Sequence, residues 1–471
     1  MKQSEIIRLT ATEMRNLILR KELSVTEVVE ACLEQVENYN TKINAICILN
    51  ERALDEARLL EEKSPKSKEM GLLYGLPAGI KDVTPVAGLR TTYGSMVYQK
   101  NIAEEDALIV RRLKDAGAII LGKTNTPEFA TGGNTFNEIF GRTHNPWNSK
   151  LSAGGSTGGG AAALASGMIA LADGTDLGGS LRMPASFCGV VGLRPSPGLV
   201  PSYPSKYPWD TLSVAGPLAR TAEDVALMLQ AVSGPTGLSP VYQQTQGRDF
   251  VKAVNSGISE GTRIAYCPDI AGIGIDEDIE QVCRQAAFEM RQVGVTVEEL
   301  ELNLSFGWKP YLDLRGYWMV AHHYHHLDKI EQFGDNLKGN IKRGLEVTTE
   351  ELGAAEQARG RMWKLFQDFF KKYDYLLTPC MAVPPFPVEQ NFPETIAGKK
   401  METYVDWFAP TFLLSLTSLP VASVPCGLDR QRLPVGIQMV GPQSGEEKVL
   451  ALAKQMQGAH PIGFPSLDSL A

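Results

Sequence analysis

Lys81 closes the apolar run 76–80 in LYGLPAGIKDVTPVAG. A lysine at the end of a buried strand loses solvation, which lowers its pKa, and only the neutral amine can take up a proton. Taken alone, an exposed or ion-paired lysine is the simpler account. Ser180 ends the stretch Leu177-Gly178-Gly179-Ser180 inside TDLGGSLRMPA. Glycines there let successive backbone N–H groups converge on one point, which makes an anion-binding nest. A serine at the end of that nest could attack a carbonyl whose oxygen sits among the donors. Asp176 and Arg182 flank the loop with opposite charges and could pair to hold it rigid. A tight structural turn is the competing account of the segment.

Histidine is the usual partner of a nucleophilic serine. The chain has six: His144, His322, His323, His325, His326 and His460. A Ser-His-Asp triad assembles across a fold, so spacing alone does not exclude one. GGSTG at 154–158 also matches G-x-S-x-G, but that elbow needs a strand leading straight into the turn. NPWNSKLSAG reads as a poor strand. His322 and His326 stand one helical turn apart and look like metal ligands. Their surroundings, PYLDLRGYWMVAHHYHHLDKI, carry a helical apolar stripe of Leu314, Trp318 and Ala321. A solvated or pocket-edge helix is therefore expected, and no metal. Tyr203, Tyr207 and Trp209 form one aromatic cluster, and Tyr311, Tyr317 and Trp318 another. Packing explains both by default, although an acyl or aryl pocket needs such a wall.

The elements that must position these residues follow from the pattern. Residues 9–62 read as two or three helices, one opened by the capping box Ser24–Glu27 before VVEACLEQV. From Leu72 onward, short apolar pieces (LPAGI, AIILG, VVGL) alternate with helical ones such as ALIVRRLKDAG, which predicts an α/β fold with a parallel or mixed sheet. The glycine-rich stretch 149–180 is nearly uncharged. Its AAALASGMIALA reads as a helix with a small-residue face, so a flexible linker is not expected. Residues 255–302 read as strand, helix, strand. Residues 307–372 read as mainly helical, and 373–445 as strand-like again.

Composition sets the outer bounds. The chain has 471 residues, 43% hydrophobic and 21% charged, with net charge −8. That is ordinary for a globular protein and argues against a nucleic-acid binder. The seven cysteines are scattered with no C-x-x-C pair, and they read as reduced, mostly buried thiols. No leader pattern and no long apolar span is visible, so a cytoplasmic location and no membrane partner are expected.

Taken together, the motifs resemble the amidase signature family. The stretch GGSTGGGAAALASGMIALADGTDLGGSLRMPASFCGVVGLRPS, residues 154–196, follows its pattern of a GGSS-like turn, a TD-x-GGS-x-R-x-P loop and FCGV-x-GL-[KR]-P. GLPAGIKDV, LGKTNTPEF, FGRTHNPWN, GPLARTAEDVALML and LPVGIQMVGP extend the resemblance over most of the chain. It implies a single domain over 1–471: N-terminal helices to 65, a signature core over 66–250, a helical substrate-side insertion over 300–370, and the rest of the core from 371. It implies the amidase signature fold, a large mixed β-sheet covered by helices on both faces.

The resemblance also implies a Ser–cis-Ser–Lys triad of Ser180, Ser156 and Lys81, with Ser156 lying 75 residues after Lys81 and 24 before Ser180. The Gly155–Ser156 peptide would be cis. The backbone N–H groups of Leu177, Gly178, Gly179 and Ser180 would form the oxyanion hole. Thr157 replaces the second serine of the turn, keeping the hydroxyl, and Leu177 stands where many members carry Thr. Thr131, Gly132, Gly133, Tyr203, Tyr207, Trp209 and Trp318 are the expected pocket residues. The implied activity is hydrolysis of a small-molecule aryl or alkyl amide through a seryl acyl-enzyme, with carbamates, ureas or esters as possible substrates. No cofactor and no metal are expected, and the protein is expected as a monomer or homodimer. A glutaminase subunit of a tRNA-dependent amidotransferase is the alternative. A scaffold without catalysis is a third, which the intact Lys81, Ser156 and Ser180 argue against.

Overall fold

Lys81 stands at the end of a strand buried along its whole length, and the sheet around it accounts for that burial. A computed structural model describes residues 1–63 and 70–467. Eleven strands form one mixed sheet. In chain order they are β1 (Ile46–Leu49), β2 (Pro77–Lys81), β3 (Ile119–Thr124), β4 (Leu171–Asp176), β5 (Val191–Arg194), β6 (Val214–Ala219), β7 (Arg263–Tyr266), β8 (Thr296–Glu299), β9 (Tyr375–Pro379), β10 (Val421–Leu428) and β11 (Pro434–Val440). Their spatial order is β1-β3-β2-β4-β6-β5-β10-β11-β9-β7-β8. β2 runs parallel to both its neighbours, β3 and β4. Parallel strands of this kind are covered on both faces, so their sequences are apolar throughout rather than alternating. PAGIK and IILGKT follow that rule up to their lysines, and both strands are buried at every position.

The helices that bear on the site are α1 (Val25–Ile43), α2 (Gly158–Ala165), α3 (Arg182–Cys188), α4 (Trp308–His322), α5 (Asp335–Glu346), α6 (Thr349–Phe369) and α7 (Ala409–Ser415). α1 begins as its sequence predicts. Ser24 Oγ accepts the N–H of Glu27, and the Glu27 carboxylate accepts the N–H of Ser24. Val25, Val28, Val29 and Cys32 turn the buried face inward. Apolar packing divides into two clusters. Ile80, Leu181, Ala185 and Cys188 belong to one; Leu177, Met183 and Phe187 belong to the other, which α4, α5, α6 and α7 dominate. The segment around Ser180 is thus pinned between two bodies of packed side chains.

Several expectations change. AAALASGMIALA is not one helix: α2 ends at Ala165, Gly167 adopts φ +74°, and Leu171–Asp176 is strand β4. An apolar run inside a sheet looks like a buried helix by periodicity alone. Asn148–Ser152 does form a strand, pairing with His144–Asn145 in a small ribbon and bridging to Pro387 through Leu151, outside the main sheet. The turn at Ser156 is therefore not fed from a strand of the main sheet. The N-terminal region holds helices as expected, together with the unforeseen strand β1. The expected boundary at 65/66 lies outside the described residues. No helix of the described residues is long and apolar enough to cross a membrane.

Candidate active site

β2 delivers Lys81 into a pocket of hydroxyl groups. Lys81 Nζ lies 2.7 Å from Ser156 Oγ, 2.9 Å from Thr157 Oγ1 and 3.0 Å from Thr175 Oγ1. Lys81, Ser156 and Thr157 have no exposed surface. Burial pulls the Lys81 pKa down to about 7, against the opposing pull of Asp173 and Asp176. A neutral amine has two N–H donors and one lone pair, so among three hydroxyls it can donate to two and accept from one. Thr157 and Thr175 can take the two N–H groups, which leaves the lone pair for the Ser156 hydroxyl.

Ser156 sits in a turn fastened from outside. The Gly155–Ser156 peptide is cis. Thr126 Oγ1 donates to the Ser156 carbonyl at 2.8 Å, and Thr135 Oγ1 to the Gly154 carbonyl at 2.8 Å. Gly132 and Gly133 back this turn: a Cβ on Gly155 would meet Gly132 O at 2.9 Å and Gly133 C at 3.0 Å. The methyl group that Thr157 adds fits because residue 174 is glycine. A Cβ there would lie 2.8 Å from Thr157 Cγ2 and 2.7 Å from Leu181 Cδ2.

Ser180 follows β4 and precedes α3, with 8% of its surface exposed. Its loop is organised by Asp176. Arg182 grips the Asp176 carboxylate with two bonds of 3.0 Å, and Arg194 Nη1 lies 3.3 Å from it. Burial pushes the Asp176 carboxyl up, but the two guanidinium groups outweigh it and hold the pKa at about 2. The expected pairing of Asp176 with Arg182 is present, completely buried. The same carboxylate accepts the N–H groups of Gly179 at 2.8 Å and Leu181 at 3.2 Å. Of the four expected oxyanion donors, the Gly179 N–H is therefore already engaged, which leaves Leu177, Gly178 and Ser180. Those three N–H groups meet no protein acceptor among the described residues. Gly179 has φ +130°, and a Cβ would sit 2.2 Å from Thr411 Oγ1. From α7 that hydroxyl bridges the carbonyls of Gly178 and Phe408 at 2.6 and 2.8 Å.

A cavity of about 490 Å³ opens beside this centre. It touches the centre through Thr175 and is walled by Tyr93, Tyr98, Phe129, Tyr203, Tyr207 and Trp318. Of the expected pocket residues, Tyr203, Tyr207 and Trp318 line it. Trp209 does not, and is 68% exposed. Thr131, Gly132 and Gly133 lie outside the cavity wall; the two glycines back the Ser156 turn, and the Thr131 hydroxyl donates to the Phe129 carbonyl at 3.2 Å. Trp318 Nε1 donates to Asp210 at 2.6 Å, and its ring stacks on His322 with centroids 4.6 Å apart.

The histidine run is not one helical face. α4 ends at His322 and the chain turns into a 3₁₀ helix over Tyr324–Gln332. His323 and His326 pair through their Nδ1 atoms at 3.3 Å, and His326 Nε2 meets Tyr98 OH at 2.6 Å. Burial first, then neighbouring imidazoles, push the pKa of His322 and of His326 down to about 4. All four histidines of the run line the cavity. No group of three side chains among the described residues is arranged to hold a metal.

Sequence reasoning missed Thr175, Asp173, Arg194 and Thr411. Thr175 was within reach, since it lies on an alternate position of β4 from Asp173 and directly before the flagged Asp176. Arg194 is the basic residue of the quoted GL-[KR]-P pattern, although its partner could not be read from it, and Thr411 is brought in from elsewhere in the chain with no local signal.

Fold and site together define a hydrolase that acts on amide carbon–nitrogen bonds. The chain belongs to the amidase signature family: the family pattern described as Amidase matches residues 27–450. An acylamidase from Rhodococcus erythropolis is 34% identical over 461 residues, covering 96% of each chain. A glutamyl-tRNA(Gln) amidotransferase subunit from Alkaliphilus metalliredigens is 33% identical over 478 residues, covering 95% of this chain and 96% of the relative. Among solved structures, a bacterial aryl acylamidase of the amidase signature family superposes with a TM-score of 0.88 at 26% identity, with 97% of each chain covered. A 6-aminohexanoate cyclic dimer hydrolase in complex with its substrate gives 0.85 at 26% identity, with 98% of this chain and 99% of that one covered.

Proposed function

We propose that this chain, acting as one unit over its length, hydrolyses aryl or alkyl amides of small molecules through an acyl-enzyme on Ser180. The observation that carries this reading is the buried Lys81 amine held among three hydroxyls, 2.7 Å from Ser156. Neutral Lys81 takes the Ser156 proton while Ser156 takes the proton of Ser180. Ser180 Oγ then attacks the amide carbonyl, whose oxygen gathers negative charge against the N–H groups of Leu177, Gly178 and Ser180. Ser156 returns a proton to the departing nitrogen, which answers the poor leaving ability of an amine. Water repeats the relay in reverse and frees the acid. Carbamates and esters present the same electrophilic carbon and are secondary substrates on this reading.

The aromatic cavity next to Thr175 supports an apolar or aryl group on the substrate rather than an amino-acid head group. Its wall holds one cation, Lys206, and one carboxylate, Asp210. A panel of an acyl nitroanilide, an ester, a carbamate and glutamine tests the choice. Nitroaniline release with little ammonia from glutamine is expected. Turnover of glutamine alone would move the assignment to an amidotransferase glutaminase.

A further inference from the structure

We propose that Asp173 is a positioning residue for Lys81: it fastens the strand end that carries the amine and places beside it a negative charge that no arginine neutralises. The proposal rests on the reading of Lys81 as the base. β2 and β4 share main-chain pairing only at Ala78–Leu171 and Gly79–Ala172. Where that ladder stops, the Asp173 side chain takes over. Its Oδ1 accepts the N–H of Lys81 at 2.5 Å, and its Oδ2 accepts the Thr84 hydroxyl at 2.7 Å. The N–H of Thr84 donates in turn to the Lys81 carbonyl at 2.9 Å. One carboxylate thus closes a ring around the turn that follows β2. Strand geometry aims Asp173 and Thr175 to the same face, and Thr175 reaches the Lys81 amine.

The charges around the amine are unequal. Nζ is surrounded by the hydroxyls of Ser156, Thr157 and Thr175, and feels the carboxylates of Asp173 and Asp176. Asp176 is already matched by Arg182 and Arg194. Asp173 has no arginine. The cations acting on it are Lys81 and Lys123, and Lys123 is itself bonded to the Thr84 carbonyl, 3.2 Å from Thr91 Oγ1 and 3.9 Å from Asp82. Burial pushes the Asp173 carboxyl up, while the Lys81 N–H, Thr84 and the two lysines pull it back. Desolvation alone would leave Lys81 deprotonated but a weak base. A nearby carboxylate restores basicity, and proton transfer is most efficient when the base titrates near the working pH.

Asp173→Asn tests this, because asparagine keeps an acceptor for the Lys81 N–H and a partner for Thr84 while removing the charge. The acid limb of kcat/KM on an acyl nitroanilide should move to lower pH by at least about half a unit, since a weaker base is protonated only in stronger acid. The plateau should fall as well. Thr84→Val removes one bond that supports the ionised carboxylate, and should move the limb the same way by less. A profile that superimposes on the wild type, or moves to higher pH, overturns the proposal. If Asp173→Asn does not fold by circular dichroism, the Thr84→Val limb decides. Lys81→Ala separates the two claims. Full activity in that variant ends the reading of Lys81 as base. Loss of activity there, with an unmoved Asp173→Asn limb, ends the Asp173 proposal alone.

Discussion

The hydroxyl nest around Lys81 and the aromatic cavity beside it are built on opposite terms. In the nest, the side chains of Lys81, Ser156, Thr157, Asp176 and Arg182 are completely buried, and each is hydrogen-bonded. Two arginines answer one carboxylate, and three hydroxyls answer one amine. In the cavity, rings meet both stacked and edge to face, His322 Nδ1 has no partner, and Tyr207 packs on the exposed Tyr317. Buried polar networks are costly when members go unsatisfied, so one this densely bonded, with Arg194 Nε as its unpartnered donor, tolerates few arrangements. Apolar walls accept many shapes of similar volume. The nest is suited to hold a reaction geometry constant, while the cavity is free to decide what enters.

The sharpest way to break this comparison is at the nucleophile. Ser180→Ala should lower kcat by roughly 10⁴-fold or more with the melting temperature unchanged, because only one hydroxyl is removed. An active Ser180→Ala enzyme would mean that the nest is structural. Asp176→Asn comes next. It leaves Arg182 and Arg194 buried with no full counter-charge and loosens the Gly179 and Leu181 N–H groups. A loss of about 3–5 kcal/mol in denaturant unfolding is expected, along with most of the activity.

Chemistry in the nest should also follow the lysine. Its neutral form is the active one and its pKa is about 7. Acid therefore silences the enzyme, and kcat/KM rises through neutral pH to an alkaline plateau. A profile that falls from pH 6 to 8 contradicts that sign. At Thr157 the hydroxyl and the methyl can be separated. Thr157→Val should cost roughly 10²-fold in kcat. Thr157→Ser should keep kcat within a few-fold and lose about 1 kcal/mol of stability from the contact over Gly174. Equal kinetic effects of the two would show that the hydroxyl does not hold Lys81.

The smallest effects should come from the cavity. Trp318→Ala removes the ring stacked on His322, and should raise KM for an aryl amide roughly tenfold with kcat less affected. Trp209→Ala, outside the wall, should leave both constants within about twofold of the wild type. Steady-state kinetics on one nitroanilide reads both variants. A larger loss at Trp209 would redraw the cavity.

Much of the nest was legible because its parts are local. Lys81 ends its own strand, the Ser156 turn and the Ser180 loop carry glycines at each close approach, and Asp176 and Arg182 are six residues apart. The fold class was legible from alternating apolar and helical pieces, and the α1 start from its capping box. The split of AAALASGMIALA into α2 and β4 was not. Local periodicity is the same for a buried helix and a buried strand, and the choice belongs to β2 and β6, between which β4 lies. Trp209 was misplaced for a related reason, since an aromatic residue in a loop faces the cavity or solvent according to packing that the loop does not encode.

The sequence by itself determined the reaction class, because the motifs around Lys81, Ser156 and Ser180 carry the resemblance to the amidase signature family. Tertiary structure alone decided what surrounds them. Asp173 comes to Lys81 only because β4 lies beside β2, Arg194 reaches Asp176 from a strand farther along the sheet, and Thr411 clamps Gly178 from more than two hundred residues away. Those contacts answer charges and carbonyls left by the Lys81 and Ser180 segments, and such answers arise wherever packing brings a partner, whatever its distance in sequence.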